Sequence, residues 1–170
     1  METTLVYIDR DGCYLMLHRV AKDEAHDVSH GKWIGVGGKF EDGESPEECM
    51  LREVQEETGV TPLSWRYRGV VTFVSQRAET EYMHLFTVDA WKGSLRQSDE
   101  GVLEWVPKDE MNSLPHWEGD EIFLALLDKP EMSFFSLKLV YDAHDTLTDA
   151  KLNNLEVLDS WRKLRKLPVR

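Results

Sequence analysis

Basic residues are scarce in this chain: 20 lysines and arginines stand against 32 aspartates and glutamates in 170 residues, a formal net charge of −12. That deficit argues against a nucleic-acid polymer as partner, because such binding needs an excess of cations to displace counterions from phosphates. It does not exclude a single nucleotide, whose polyphosphate can enter an acidic site together with divalent cations. Cysteine is equally rare. Cys13 and Cys49 fall in an apparent strand and in a helix, lack metal-ligand spacing and give no disulfide framework, so they read as small core residues in a reducing cytoplasm. No apolar run approaches the ~20 residues that span a bilayer. The stretch Thr3 to Ile8 has neither the length nor the basic lead of a signal peptide. A cytoplasmic enzyme domain without membrane association is expected, and 170 residues suffice for its core.

Two nucleotide-binding fingerprints are also missing. Gly35, Gly37 and Phe40 fail the dinucleotide pattern GxGxxG, and Gly38-Lys39 is followed by Phe40 where a P-loop needs Ser or Thr. No internal repeat or low-complexity tract occurs.

What is present concentrates between Gly37 and Val60, GGKFEDGESPEECMLREVQEETGV. Ser45, Pro46 and Glu48 predict a helix start, with serine as N-cap, proline at the first helical position and glutamate closing a capping box. Gly59 supplies the stop. Met50, Leu51, Val54 and Thr58 fall on one stripe of that helix and Glu53, Glu56 and Glu57 on a neighbouring one. Carboxylates three and four residues apart repel one another unless a cation sits among them, and hard oxygen ligands select Mg²⁺ or Mn²⁺.

Around this centre the chain predicts a mixed α/β protein. Leu5 to Ile8 and Cys13 to His18 read as a hairpin about Asp11-Gly12, and residues 20 to 31 as an exposed loop whose His26 and His30 are solvated or ligating. Trp33 to Val36 is a short strand. Trp65 to Val74 and Met83 to Trp91 are strands joined by a polar connection containing Glu79 and Glu81, and Leu103 to Val106 is another, ended by Pro107. Asp120 to Leu127 reads as a second helix, Phe134 to Tyr141 as the last strand. Beyond residue 144, Val157, Leu158, Trp161 and Leu164 predict an amphipathic helix, with Arg162, Lys163, Arg165, Lys166 and Arg170 near its end. That extension, residues 145–170, either docks on its own domain, 1–144, or forms a homodimer contact.

Gly38, Glu44 and the run Arg52 to Val60 match every fixed position of the pattern Gx5Ex7REUxEExGU, with U aliphatic, so the chain resembles the Nudix hydrolases of the MutT type. The resemblance implies an αβα sandwich with a mixed sheet. It also implies Mg²⁺-dependent hydrolysis, with Glu53, Glu56, Glu57 and the Gly38 carbonyl as metal ligands and Arg52 paired with Glu44 to orient the helix. Glu100 would add a loop carboxylate, and Arg19 and Lys39 would meet phosphate. Water would attack the β-phosphorus of a nucleoside triphosphate, releasing a monophosphate and pyrophosphate, with Glu53, Glu56 or Glu100 as the base. Trp117 and Asp120 resemble the tryptophan and acid that hold an oxidised purine such as that of 8-oxo-dGTP, and Phe73 would line the same pocket. Ile34 and Gly119 depart from that likeness, standing where relatives carry an asparagine and a second aspartate. Asp120 has a competing structural role at the start of its helix, capping free N–H groups or favouring the helix dipole. Dinucleoside polyphosphates, ADP-ribose and pterin triphosphates share the diphosphate unit, and a binding module without turnover is the alternative from another class.

Overall fold

A computed structural model describes residues 1–20 and 27–165, so His26, Lys166 and Arg170 lie outside the described residues. Asp11 and Gly12 both take positive φ (51° and 77°), the pairing that a tight turn between twisted antiparallel strands requires. They join β1 (Glu2–Arg10) to β2 (Cys13–Arg19). The two strands pair only next to the turn, at Asp9↔Tyr14 and Arg10↔Cys13. Beyond it they part. β1 runs parallel to β5 (Ala78–Lys92), whereas β2 joins β3 (Trp33–Ile34) and β6 (Gly101–Pro107) in antiparallel pairs. Residues 36–39 fill the opening, bridging to β1 at Val6↔Val36 and Thr3↔Lys39.

β5 pairs antiparallel with β4 (Thr61–Ser75), and β4 is followed across the sheet by β7 (Phe135–Tyr141), β8 (Leu147–Leu152) and β9 (Leu155–Glu156). Alternation along β1 sends Val6 and Ile8 to one face and Tyr7 to the other. Val6, Ile8, Phe86 and Val88 pack with Met50 and Val54 of α1 (Pro46–Thr58). Tyr7, Val71, Leu85, Leu137 and Leu139 pack with Ile122 and Phe123 of α2 (Asp120–Leu127) and with Trp161 of α3 (Leu158–Leu164). A mixed sheet with helices on both faces is the sandwich that the resemblance implies. No helix among the described residues is long and apolar enough to cross a membrane.

The structure corrects two readings. Glu79 and Glu81 do not sit in a loop: β5 begins at Ala78, and β4 reaches it through Gln76-Arg77, where Ser75 Oγ accepts from Arg77 N (3.0 Å). Residues 145–157 are not helical, because β8 pairs with β7 from Leu137↔Leu152 to Tyr141↔Leu147 and extends the sheet. The helix that follows is short and docks on its own chain. Trp161 is 5% exposed, Arg162 donates to both carboxylate oxygens of Glu118 (2.9 and 3.0 Å) and to Leu147 O (2.7 Å), and Arg165 Nη1 donates to Glu121 Oε2 (3.1 Å).

Candidate active site

The acidic residues are brought together by a helix whose start is fixed locally. Ser45 Oγ accepts from Glu48 N (3.2 Å), Glu48 Oε2 accepts from Ser45 N (2.7 Å), and Pro46 follows at the first helical position. Met50, Val54 and Thr58 then face the core, and Glu57 is carried inward with them to 7% exposure. Its Oε2 accepts from Gly37 N at 3.0 Å. Burial pushes the Glu57 carboxyl up to about 9, Gly37 N–H opposes this, and the carboxylates of Glu100 and Glu53 add to it. Burial raises Glu53 as well, against the hydrogen bond and charge of Arg52 and with help from Glu56 and Glu100. Glu56 lies on the exposed side.

Arg52 organises these groups. Its Nε and Nη2 grip Glu44 Oε1 and Oε2 (2.5 and 2.9 Å), its Nη1 reaches Glu53 Oε1 (2.8 Å) and Glu56 Oε2 (3.3 Å), and Nη2 also donates to Lys39 O (2.9 Å). The hydrogen bonds from Arg52, joined by Glu41 N, hold Glu44 at about 2. The backbone comes against the acids without a side chain between. Gly37 has φ 147°, and a Cβ there would stand 2.1 Å from Thr4 O; at Gly38 it would stand 2.4 Å from Glu53 Cδ. The Gly38 carbonyl accepts from Thr4 N (2.9 Å), and Cys49 Sγ lies 3.7 Å from it.

Glu53, Glu56, Glu57 and Glu100 offer only hard oxygen donors, the set that suits Mg²⁺ or Mn²⁺. Among the described residues no three acidic, histidine or cysteine side chains yet surround a common point. Arg52 holds Glu53 and Glu56, and Arg19 Nη1 holds Glu100 Oε2 at 3.2 Å. Burial raises Glu53 and Glu57 first and the neighbouring carboxylates add to it, and this all-oxygen donor set of like charges fits a divalent cation.

From the acids a cavity of about 480 Å³ runs past Arg19 and Lys39 to Phe73, Trp117 and Asp120. Arg19 Nε donates to Asp27 Oδ2 (2.6 Å), and Lys39 is exposed at the rim. Trp117 is 4% exposed; its Nε1 donates to Ser29 Oγ (3.0 Å), Phe73 and Tyr141 meet its ring edge-on at 4.9 and 4.8 Å, and Lys32 Nζ stands 4.3 Å from the ring centre. Asp120 is the first residue of α2 and makes no cap hydrogen bond, while its place in the first turn is where the helix dipole favours an acid. The residue also lines the cavity. Burial pushes its carboxyl well above the ordinary range; Lys32 draws it down and Glu121 adds to the rise.

The departure at Gly119 has a steric reason. A Cβ there would stand 2.5 Å from Leu139 Cδ1 and 2.7 Å from the Tyr141 hydroxyl, which also accepts from Gly119 N (2.8 Å), so a second acid would have to displace both side chains. Ile34 lines the cavity. Sequence reasoning missed Asp27, Ser29, Lys32 and Glu81. The first two lie in a stretch without periodicity, and Glu81 was obscured by a turn that carries no glycine or asparagine.

The NUDIX domain family matches residues 2–127. Oxidized purine nucleoside triphosphate hydrolase of Danio rerio is 32% identical over 132 residues, covering 75% of this chain and 81% of that protein. CTP pyrophosphohydrolase of Escherichia coli is 28% identical over 134 residues, 74% of this chain and 93% of that one. Among solved structures, the MutT protein from Bacillus halodurans superposes with a TM-score of 0.77 at 26% identity, covering 89% of this chain and 97% of its own.

Proposed function

The chain belongs to the NUDIX domain family and is a Nudix hydrolase, and from that premise we propose that it hydrolyses a C8-oxidised purine nucleoside triphosphate such as 8-oxo-dGTP. The products are the monophosphate and pyrophosphate. Glu53, Glu56, Glu57 and Glu100 would hold a divalent cation such as Mg²⁺, which would neutralise polyphosphate charge and lower the pKa of a bound water. Arg52, anchored on Glu44, keeps α1 in register with the Gly37-Gly38 backbone, and Arg19 and Lys39 orient phosphate oxygens. Water attacks the β-phosphorus, the bond from that phosphorus to the α–β bridging oxygen breaks, and the bridging oxygen leaves with the monophosphate. The water proton passes to a carboxylate of the acidic cluster.

The observation that carries the choice of base is Asp120, a buried carboxyl that lines the cavity beside Trp117 and makes no helix cap. A neutral carboxyl offers one donor and one acceptor. Oxidation at C8 turns purine N7 from an acceptor into an N–H donor, so the 6-oxo and N7–H edge of 8-oxoguanine matches both groups. Unmodified guanine presents two acceptors there and leaves the carbonyl of Asp120 opposed. A site built on such a pair discriminates strongly, by up to ~10⁴.

A panel of 8-oxo-dGTP, dGTP and CTP with Mg²⁺ tests this, scoring kcat/KM and the phosphate species released. Pyrophosphate release and preference for the oxidised purine are expected; Asp120→Ala should reduce that preference by about 10-fold or more, whereas Asp120→Asn, which keeps one donor and one acceptor, should retain most of it. Equal losses of Asp120→Ala on 8-oxo-dGTP and dGTP would reject base reading by Asp120. Orthophosphate as the sole product would reject attack at the β-phosphorus, and binding without turnover would favour a sensor.

A further inference from the structure

Glu81 belongs to neither end of the cavity. In β5 it stands opposite Phe73 of β4, and Met83, two residues on, pairs with Thr3 of β1. Glu81, Thr3, Met83 and Phe73 all line the cavity. Glu81 Oε2 accepts a hydrogen bond from Thr3 Oγ1 at 3.3 Å, and among the described residues the carboxylate has no ion pair. Burial raises it, while the Thr3 hydrogen bond and the charges of Arg19 and Lys39 draw it down.

A negative group at this place disfavours a phosphate, so it is not part of the phosphate grip. The acidic cluster lies on α1 and at Glu100, and the far end is closed by Trp117 and Asp120. A nucleotide stretched between those ends carries its sugar over the strand positions of Glu81 and Phe73. Sugar hydroxyls are donors, and an ionised carboxylate only accepts. Thr3 engages Oε2 and thereby orients the group, leaving Oε1 as an acceptor without a partner among the described residues of the cavity lining.

We propose that Glu81, positioned by Thr3, forms a sugar-hydroxyl subsite that makes this enzyme sensitive to the hydroxyls of the nucleotide's sugar. The subsite rests on the reading of the cavity as a nucleotide site but not on which base is bound. It is a specificity device remote from the reacting phosphorus, so its loss raises KM more than it lowers kcat.

The test uses three triphosphates of one base, with ribose, 2′-deoxyribose and 2′,3′-dideoxyribose, on the parent, Glu81→Ala and Glu81→Gln. In the parent, kcat/KM should fall about 10-fold or more on removal of both hydroxyls, the scale of a charge-assisted hydrogen bond. In Glu81→Ala the fall should shrink to about 3-fold or less, and Glu81→Gln, which keeps one acceptor, should recover part of it. Glu81→Gln decides the matter if the alanine variant fails to fold by circular dichroism. Equal hydroxyl dependence in the parent and in Glu81→Gln and Glu81→Ala overturns the subsite. Turnover of none of the three overturns the nucleotide reading and the subsite together, whereas hydroxyl coupling without preference for an oxidised base leaves the subsite standing.

Discussion

Glu57→Gln turns the electrostatics of α1 into a stability measurement. In the metal-free protein the carboxyl stands at about 9 against an ordinary 4.5, chiefly because it is buried. Below about 4.5 it is protonated in both folded and unfolded chains and adds no pH dependence. Between about 4.5 and 9 the folded chain keeps a proton that the unfolded chain has released, so stability falls as pH rises, by up to ~1.4 kcal/mol per pH unit from this group. At pH 7 the interval of roughly 2.5 units amounts to about 3 kcal/mol. A glutamine carries no charge, its carbonyl can accept from Gly37 N, and its amide can donate to Glu100. Metal-free Glu57→Gln should therefore exceed the parent by about 2–3 kcal/mol at pH 7, roughly 5–10 °C in Tm for a chain of this size, and match it near pH 4.5. Urea unfolding in EDTA at pH 5, 7 and 8.5 gives the profile. Excess Mg²⁺ should then raise the parent and leave the variant nearly unchanged, since only the parent keeps its full ligand set. Hydrolysis by the variant should drop by about 100-fold or more. A stability difference independent of pH, or equal stabilisation of both proteins by Mg²⁺, would refute the reasoning.

The grip of Arg52 on Glu44 predicts non-additivity: each alanine substitution should lower kcat/KM by about 10-fold or more, and the double variant should be little worse than Arg52→Ala alone. A double-mutant cycle with additive losses would show that the two do not act as a pair. Gly38→Ala should push its Cβ into the Glu53 carboxylate, cutting activity far more than stability because the obstacle is a side-chain end rather than backbone. Gly37→Ala, which meets Thr4 O and carries φ 147°, should lower the Tm much more. Equal Tm values for the two variants would contradict this difference.

Helix α1 was legible because its signals are local. Cap, proline and capping box lie within four residues, and the hydrophobic stripe repeats over three turns. The Asp11-Gly12 turn was legible for the same reason. β8 was not, since its polar alternation, LTDAKL, gains strand character only by pairing with β7. The turn at Gln76-Arg77 has no residue with positive φ among the described ones, so nothing in the sequence placed the start of β5 before Glu79 and Glu81. Asp120 shows the limit most clearly. An acid at the start of a helix looks the same in sequence whether it caps the helix or faces a cavity, and only the packing of α2 against β1 and β7 decides between them. The cavity residues Asp27, Ser29 and Lys32 are placed by Arg19, whose Nε reaches Asp27 and whose backbone N–H reaches Lys32 O, and by Trp117, whose Nε1 reaches Ser29, contacts that leave no sequence period.

The family match ends at Leu127, but the structural support for the Trp117 end of the cavity does not. Arg162 and Arg165 of α3 reach back to Glu118 and Glu121, which flank Asp120, and Tyr141 of β7 receives Gly119 N. The tail thus serves as a splint on the segment that carries Trp117 and Asp120. A chimera that exchanges residues 37–60 with a relative carries the capping box and the Arg52–Glu44 grip intact, since both partners of each travel together. Exchange of residues 115–121 is different: that segment keeps its shape only if residues 135–165 travel with it.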